Sequence, residues 1–343
     1  MPEQIYRYRQ NGDTYRPHKE DWHGKPYYSL DAYCKNTYGE KLYKIALQTA
    51  CTCPNRDGTL DTKGCIFCSV GGSGEFAVPV FGVGSARKDY SVTEEISITK
   101  QLAEGKYLLQ KKKTGSRYIA YFQAYTNTYG PVEYLHSVYE NALREESVAG
   151  ISIATRPDCL SEEILTVIVN LKEEYPDKFV WIELGLQTIH EETALFIRRS
   201  YPLSCFDTAV KALQEKRIPV IVHIIIGLPG EDLTKLLQTI DHMNQLGIQG
   251  IKLHLLHILR GTDLAALYEE GKISVLSQEA YLELLTEAIT HLSPEIVIHR
   301  LTGDGARNLL IAPRWSLHKK NVLNALHHEM AIRKLTQGCK YQG

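Results

Sequence analysis

The chain has 343 residues, 43% of them hydrophobic and 23% charged, and its formal net charge is −1 at pH 7. Such a chain can bury a full globular core, but its near-neutral charge gives no argument for binding nucleic acid. No apolar run approaches the length of a membrane span and the first residues lack the pattern of a signal peptide, so we expect a cytoplasmic protein that does not enter a membrane.

Residues 1–43 form an arm that is rich in tyrosine, with basic residues interleaved. Aromatic rings beside basic groups suit stacking on the bases of RNA. They suit equally an arm that wraps around a domain and packs its rings on it. The packing interpretation is favoured.

From residue 44 to residue 258, short apolar segments alternate with amphipathic helical patterns. The predicted strands cover residues 45–50, 118–124, 148–155, 179–186, 218–226 and 250–257. The predicted helices cover residues 93–112, 132–145, 161–174, 191–199, 206–215 and 231–246. Ser161 is a candidate N-cap, and Thr188 with Glu191 fits a capping box.

This alternation predicts an α/β fold, a partial (β/α)6 TIM-like barrel with N- and C-terminal extensions. Several strands are apolar on both faces, as parallel strands covered by helices are. Residues 259–343 form the C-terminal extension, with helices predicted over 262–271, 277–291 and 321–337, and a short strand over 295–299. Because the carboxyl ends of parallel strands collect the chemistry of such folds, the loop after the first strand is the first place to look for a site.

That loop carries four of the eight cysteines, Cys51, Cys53, Cys65 and Cys68, within 18 residues. In a reducing compartment a close set of this kind binds metal more often than it forms disulfides. A structural zinc site would need two pairs, and the spacing of Cys51 and Cys53 is unusual for one. Alternatively, Cys53, Cys65 and Cys68 hold three irons of a [4Fe–4S] cluster and leave the fourth iron open, with Cys51 behind the loop.

Six segments resemble motifs of the radical S-adenosylmethionine (SAM) superfamily, each in the order and near the strand end where that family has it. They are Cys53-Pro-Asn-Arg-Asp-Gly58, Gly64-Cys-Ile-Phe-Cys68, Tyr121-Phe-Gln-Ala-Tyr-Thr-Asn-Thr-Tyr129, Ala154-Thr-Arg-Pro-Asp158, Glu183-Leu-Gly-Leu-Gln-Thr188 and His223-Ile-Ile-Ile-Gly-Leu-Pro-Gly230. The resemblance covers most of the chain. It is greatest to the branch with the Elongator catalytic subunit and the oxygen-independent coproporphyrinogen oxidases, and within it to short bacterial proteins of the YhcC/YtqA type.

The resemblance implies a radical SAM enzyme in which Cys53, Cys65 and Cys68 bind a [4Fe–4S] cluster, and SAM bound at the open iron gives a 5′-deoxyadenosyl radical. The positions that match SAM-binding residues are Gln123, Ala124, Thr155, Gln187, Arg199, His223, Gly227 and Pro229. Ala154 and His223 replace acidic residues of the oxidase branch, so Thr155 and His223 are expected to face the ribose. A second interpretation makes His223 a buried histidine with a partner inside the barrel. The segment from Arg156 to Asp158 either contacts substrate or forms a turn in which Asp158 caps the next helix.

The same resemblance implies a substrate, the wobble uridine of tRNA, whose carboxymethylaminomethyl group would become an aminomethyl group. The expected catalytic residues are Glu183, His254 and Asp304, with His257 and Arg300 as further substrate-side candidates. The implied partners are tRNA, an electron donor such as flavodoxin or ferredoxin, and a methyltransferase acting on the product. Two alternatives stay open: a radical SAM enzyme with a small-molecule substrate, and a zinc-stapled module that binds RNA or protein.

Overall fold

The computed structural model describes residues 19–72, 97–110, 115–303 and 305–343. The strands in chain order are β1 (Tyr43–Leu47), β2 (Tyr118–Phe122), β3 (Val148–Thr155), β4 (Phe179–Gln187), β5 (Val220–Ile226), β6 (Gly250–Leu255), β7 (Ile258–Leu259), β8 (Val297–Arg300) and β9 (Leu310–Ala312). The helices are α1 (Leu30–Tyr38), α2 (Ile98–Leu109), α3 (Val132–Arg144), α4 (Glu162–Glu174), α5 (Glu191–Phe196), α6 (Leu203–Glu215), α7 (Leu233–Leu246), α8 (Asp263–Glu269), α9 (Gln278–His291) and α10 (Lys319–Ile332). Residues 1–18 of the predicted arm and the expected catalytic residue Asp304 lie outside the described residues.

Seven of the strands form one parallel sheet in the order β1-β2-β3-β4-β5-β6-β8, curled into a half barrel with helices on its outer face. This confirms the predicted α/β partial barrel. The short strand predicted over residues 295–299, within the C-terminal extension, is present in the structure as Val297–Arg300. As β8 it pairs with β6, for example Ile298 with Ile251, and becomes the seventh strand of the sheet.

The outer face of the sheet carries the main apolar core. All eight residues of β3 are buried, and its outward side chains Ile151 and Ile153 are 0% exposed. They belong to one cluster with the inner faces of the surrounding helices, such as Leu135 of α3 and Ile168 of α4. Burial on both sides of the sheet explains why the strands appear apolar on both faces in the sequence.

The curl of the sheet is visible in a contact across its inner face. Lys44 Nζ on β1 lies 2.7 Å from Glu183 Oε1 on β4. These strands are three places apart, a separation of about 14 Å in a flat sheet. The inner face is therefore strongly concave, and side chains from distant strands meet inside it.

The amino-terminal end of the barrel is closed by aromatic side chains. Phe179 and Trp181, near the start of β4, stack with ring centroids 4.0 Å apart. Tyr33 and Tyr38 of α1 pack against them, with centroids 6.0 Å from Trp181 and 5.4 Å from Phe179. In the described part of the arm, the tyrosines thus pack on the barrel, as the favoured interpretation predicted.

Of the two predicted helix starts, one is confirmed. Ser161 caps α4, because its Oγ accepts a hydrogen bond from the backbone N–H of Ile164. The capping box at Thr188 is wrong: α5 has His190 as its N-cap, without a side-chain capping bond in the described structure. Thr188 Oγ1 instead accepts from the His190 N–H and donates to Glu231 across 2.5 Å, which ties the end of β4 to the loop before α7. Within the residues that the structure describes, no helix is long and apolar enough to cross a membrane.

Candidate active site

The loop that follows β1 carries the four clustered cysteines at the carboxyl end of the sheet. Cys53, Cys65 and Cys68 are partly exposed. Cys51 is 3% exposed and packs in the main apolar core. Three thiols are therefore available to a ligand, and the fourth lies behind the loop.

Arg56 holds this cysteine loop together from within. Its Nη2 donates to the backbone carbonyls of Cys68, at 2.7 Å, and Ser69, at 2.6 Å. Gly64 lies against the same side chain with a φ of +75°, and a Cβ at this position would come within 2.8 Å of Arg56 Nε. The loop thus requires a glycine where the chain crosses the guanidinium.

Two neighbouring elements fix the loop to the barrel. Asn55 Nδ2 donates to the carbonyl of Arg198 at 2.8 Å, and the Ile66 N–H donates to the carbonyl of Ile197 at 3.2 Å. On the other side, the Leu264 N–H at the start of α8 donates to the carbonyl of Ile66 at 2.9 Å. These bonds explain how a loop without regular secondary structure keeps one shape.

The three partly exposed cysteines lie close enough for their charges to act on one another. Burial raises the pKa of Cys65 to about 12, and the charges of Cys68 and Cys53 raise it further. Thiolates this close repel one another, and a cationic metal group removes that cost. Among the described residues no three or more His, Cys, Asp or Glu side chains are arranged to hold a single metal ion. Three cysteine thiols on one loop are a donor set that fits an iron–sulfur cluster.

Arg156 is a charged neighbour of this loop. Its guanidinium makes a bidentate ion pair with Asp158, at 2.9 and 2.6 Å, and lies 4.9 Å from the centroid of the Tyr201 ring. Its positive charge opposes the rise of the Cys65 pKa. Asp158 pairs with Arg156 and leaves the capping of α4 to Ser161, so the capping interpretation of Asp158 is wrong.

The residues expected to bind SAM lie around the carboxyl ends of β2 to β5. Gln123 and Ala124 follow β2, and Gln187 ends β4 with a φ of +66°. Tyr125 also has a positive φ, +58°, and its N–H donates to the carbonyl of Gly72 beyond the cysteine loop. Such backbone is costly for residues other than glycine and clusters at functional sites.

The other expected SAM contacts differ in how accessible they are. Gly227, with a φ of +89°, and Pro229 follow β5 and are partly exposed. Thr155 is 5% exposed, and its hydroxyl bonds that of Thr128 at 2.5 Å. Arg199 is 1% exposed, and its guanidinium donates to the backbone carbonyls of Thr188, Leu186 and Tyr201 and to the carboxylate of Glu191. Arg199 thus braces the turn between β4 and α6 in this structure.

Glu183 lies at the centre of the barrel interior, where it is 0% exposed. One carboxylate oxygen accepts hydrogen bonds from Lys44 at 2.7 Å and Ser152 at 2.6 Å. The other accepts from His223 Nε2 at 2.7 Å and from Lys252. Both oxygens are thus bonded to side chains of the barrel interior, and in this structure Glu183 is the charge partner of two lysines. Its catalytic role stays a prediction.

The pKa shifts of Glu183 and of the side chains bonded to it, which form a polar layer inside the barrel, follow from burial and from the charges of Lys44 and Lys252. Burial alone would raise the pKa of Glu183, but Lys252, Lys44 and His223 hold it well below its usual range. Burial and the charge of Lys252 lower the pKa of His223 to about 4, against the upward effect of its bond to Glu183. His223 is therefore neutral at physiological pH. Its placement matches the second interpretation of this residue, a buried histidine with a partner.

The remaining substrate-side candidates fall into two groups. His254 on β6 lies beside His223, with ring centroids 5.1 Å apart, and its buried Nε2 has no hydrogen-bond partner among the described residues. Burial lowers its pKa well below the usual value. Arg300 ends β8 close enough for its charge to act on Lys252 and His254. His257 lies against Gly303 in the loop after β8, a position where a Cβ would approach its ring within 3.0 Å.

Four polar residues of the barrel interior were not identified from the sequence: Lys44, Tyr121, Ser152 and Lys252. Lys252 donates to Tyr121 Oη at 2.9 Å, and both lysines lie over the face of the Tyr121 ring. A signal was present, because Lys252 stands between Ile251 and Leu253 in a strand that is otherwise apolar. A charged residue in such a strand is rarely buried without a partner.

The sequence profile of the radical SAM superfamily matches residues 52–243, more than half of the chain. The chain belongs to the radical SAM superfamily. The profile of the Radical_SAM C-terminal domain matches residues 248–331, which include β6 to β9.

Three curated proteins illustrate how similar in sequence the relatives of this radical SAM enzyme are. YtqA of Bacillus subtilis is 42% identical over 93% of this chain and 94% of its own, and YhcC of Escherichia coli is 36% identical over 81% and 84%. The tRNA uridine(34) acetyltransferase of Methanocaldococcus jannaschii is 24% identical over 43% of this chain but only 27% of its own.

Among solved structures, Elp3 of Methanocaldococcus infernus aligns with a TM-score of 0.62 and 14% identity, over 86% of this chain and 64% of that chain. At that identity the likeness concerns the fold.

As a radical SAM enzyme the protein uses a [4Fe–4S] cluster and SAM, and the cluster is reduced by an electron donor. When bound, these groups supply a carbon-centred radical that abstracts a hydrogen atom. Cys53, Cys65 and Cys68 are the thiols that could hold the cluster, on a loop that Arg56 and Asn55 keep in shape. Aromatic rings close the amino-terminal end of the barrel, and the cysteine loop lies at the carboxyl end, where a bound substrate would exclude water from the cluster.

Proposed function

We propose that this radical SAM enzyme modifies the wobble uridine of tRNA, converting a carboxymethylaminomethyl group into an aminomethyl group. The observation that carries the proposal is the likeness of the barrel segment to a protein named as a tRNA uridine(34) acetyltransferase. Residue 34 is the wobble position. The aligned part is less than half of this chain. Only the identity of the modified nucleotide is therefore carried over from that relative, and acetyl transfer is not proposed for this chain.

The surface near the barrel mouth supports a partner with a phosphate backbone. Arg260 follows β7, Arg307 precedes β9 and Arg314 follows it, and all three are exposed. Because β7 and β9 pair with each other and α8, next in the chain, binds the cysteine loop, these arginines belong to the segment that borders the site. Arginine is well suited to phosphate contacts. A local basic border of this kind meets the objection raised by the near-neutral net charge.

The proposed roles of the residues follow from their places. Cys53, Cys65 and Cys68 bind the cluster. SAM lies between the cysteine loop and the strand ends, against Gln123, Gln187 and the segment from Gly227 to Pro229. The uridine base enters the same mouth, with its substituent directed into the interior. A flavodoxin or ferredoxin reduces the cluster, and a methyltransferase is a suitable consumer of the aminomethyl product.

The experiment that tests this proposal compares tRNA nucleosides from a deletion strain and its parent by liquid chromatography and mass spectrometry. We expect the deletion to accumulate the carboxymethylaminomethyl nucleoside and to lose the aminomethyl nucleoside. Complementation with the native chain should restore the parental profile, and complementation with Cys65→Ala should leave it unrestored. An unchanged wobble-uridine profile in the deletion strain would remove the assignment.

A further inference from the structure

We propose that the barrel interior contains a binding site for the carboxylate of the substrate, with Lys44, Lys252 and His254 as its floor. The inference rests on the proposed function in one respect: the carboxymethylaminomethyl group ends in a carboxylate. It goes further in naming which part of the substrate enters the barrel and which residues of this chain bind it.

The first support is the charge in the interior. Among the described side chains that surround Glu183, the ammonium groups of Lys44 and Lys252 face this single carboxylate, and Ser152 is neutral. Buried charges in proteins are normally paired. Because two lysines share one carboxylate, a second anion would find a charge partner in this layer.

The repulsion between the positive groups around Glu183 also favours the binding of a second anion. Burial lowers the pKa of Lys252, and the charges of Lys44 and Arg300 lower it further, while Glu183 alone acts in the opposite direction. A bound carboxylate would act with Glu183. Its arrival would stabilise the ammonium form of Lys252.

The second support is the partial exposure of this layer. The side chain of Glu183 is 0% exposed and that of Lys252 is 3% exposed, but those of Lys44 and His223 are each 19% exposed. Two of the side chains that bind Glu183 can therefore be reached by a ligand.

The third support is the space above the floor. Side chains alternate along a strand, so the next inward position after Lys44 is Ala46, after Ser152 it is Ala154, and after Glu183 it is Gly185. A Cβ on Gly185 would meet only the end of the Gln187 side chain within 3 Å. These three small residues leave room between the lysines and the strand ends.

The fourth support is an unused hydrogen-bonding group. His254 Nε2 is buried and has no hydrogen-bond partner among the described residues, although His254 lies in the same layer as His223. An imidazole nitrogen can donate one hydrogen bond to an anion. Buried polar groups seldom stay without a partner, which suggests a ligand for this one.

A matched pair of small probes tests the carboxylate site apart from tRNA. N-Benzylglycine has a ring, a methylene, an amine and a carboxymethyl group in the proposed order, and N-methylbenzylamine lacks only the carboxylate. Isothermal titration calorimetry would use the full-length chain, reconstituted anaerobically. We expect the carboxylate probe to bind about tenfold more tightly, as for a hydrogen-bonded charge pair.

Variants locate the effect. Lys44→Gln should remove this preference, and Lys44→Arg should retain most of it because the charge is kept. Lys41→Gln is the matched control, since Lys41 is an exposed lysine just before β1, lying over the Tyr43 ring. Circular dichroism and the thermal midpoint would confirm that each variant is folded. Equal binding of the two probes, or a preference that survives Lys44→Gln, would overturn the proposal.

A third arm separates the substrate carboxylate from that of SAM. The titrations are repeated with saturating SAM, and the proposal expects the preference to remain. If SAM abolishes it, the site belongs to the carboxylate of SAM and the inference is wrong. If the preference and its dependence on Lys44 hold while the wobble-uridine profile of the deletion strain is unchanged, the carboxylate site stands and only the proposed nucleoside fails.

Discussion

The guanidinium of Arg56, which lies three positions after Cys53, donates a 2.7 Å hydrogen bond to the carbonyl of Cys68. One side chain thus connects the first and the last cysteine of the candidate cluster site. The cysteine loop has no regular secondary structure to define its shape, so this contact positions the thiols before any cluster is bound. Preorganisation of this kind lowers the cost of binding.

Replacing Arg56 should therefore weaken the retention of the cluster more than the fold. In Arg56→Met we expect less iron per chain after reconstitution and a faster loss of iron to a chelator. Arg144→Met is a suitable control, because the Arg144 side chain is 62% exposed and its guanidinium pairs with Glu140 on α3. Equal iron content and equal loss rates in both variants would show that the Arg56 contacts do not support the site.

The cysteines should separate into ligands and a packing residue. Cys53→Ala, Cys65→Ala and Cys68→Ala should each fail to hold a four-iron cluster. Cys51→Ala should keep its iron and lose about 1 kcal/mol of stability, because it removes a buried sulfur from the core. Iron and sulfide analysis with urea unfolding checks both parts, and loss of the cluster in Cys51→Ala would instead place this sulfur among the ligands.

Glu183→Gln should destabilise the fold strongly. It leaves Lys44 and Lys252 without their carboxylate inside the barrel, and breaking a buried ion pair costs about 3 to 5 kcal/mol. Glu140→Gln is the matched control, since Glu140 pairs on the surface of α3 with Arg144, a contact worth about 0.5 kcal/mol. Urea unfolding measures both, and a loss below about 1 kcal/mol in Glu183→Gln would contradict the central position of this carboxylate.

His223 should make the fold sensitive to mild acid. Its pKa is lowered from 6.5 to about 4 in the folded protein, so between these values the unfolded chain binds a proton that the folded chain does not. Stability must then fall as the pH falls, by about 2 kcal/mol between pH 7 and pH 5 for this group alone. Urea unfolding of the native chain and of His223→Gln, which keeps a donor for Glu183, should show a weaker pH dependence in the variant. Identical pH dependences would mean that His223 is not buried as a neutral group.

The sequence predicted those features that depend on local patterns. β3 lies at the predicted residues because a largely apolar run, interrupted by Ser152, stands between polar segments that mark both of its ends. The four-residue β8 could not be placed in the sheet, because so short a strand carries no information about its neighbour. Thr188 failed as a cap for a related reason: its hydroxyl binds Glu231, a residue 43 positions away, and such tertiary bonds override local capping rules.

The candidate site, too, has features that local sequence patterns predict and features that depend on the folded structure. The four clustered cysteines could be identified because they lie on one loop. The strand ends could be identified because the carboxyl ends of parallel strands share one edge of the sheet. The partners of Glu183 come from β1, β3, β5 and β6, and only the curl of the sheet brings Lys44 and Lys252 to the same carboxylate. The sequence singled out Glu183 as a candidate, but its bonding partners are side chains that only the folded structure brings together.

The most direct test of the account concerns the three thiols and the cluster that they hold. The native chain, reconstituted without oxygen, should contain about four irons and four sulfides, and the electron paramagnetic resonance spectrum of its reduced form should change when SAM is added. Cys65→Ala should lose this signal and Cys51→Ala should keep it. A chain that instead retains one zinc ion and shows no signal on reduction would contradict the account.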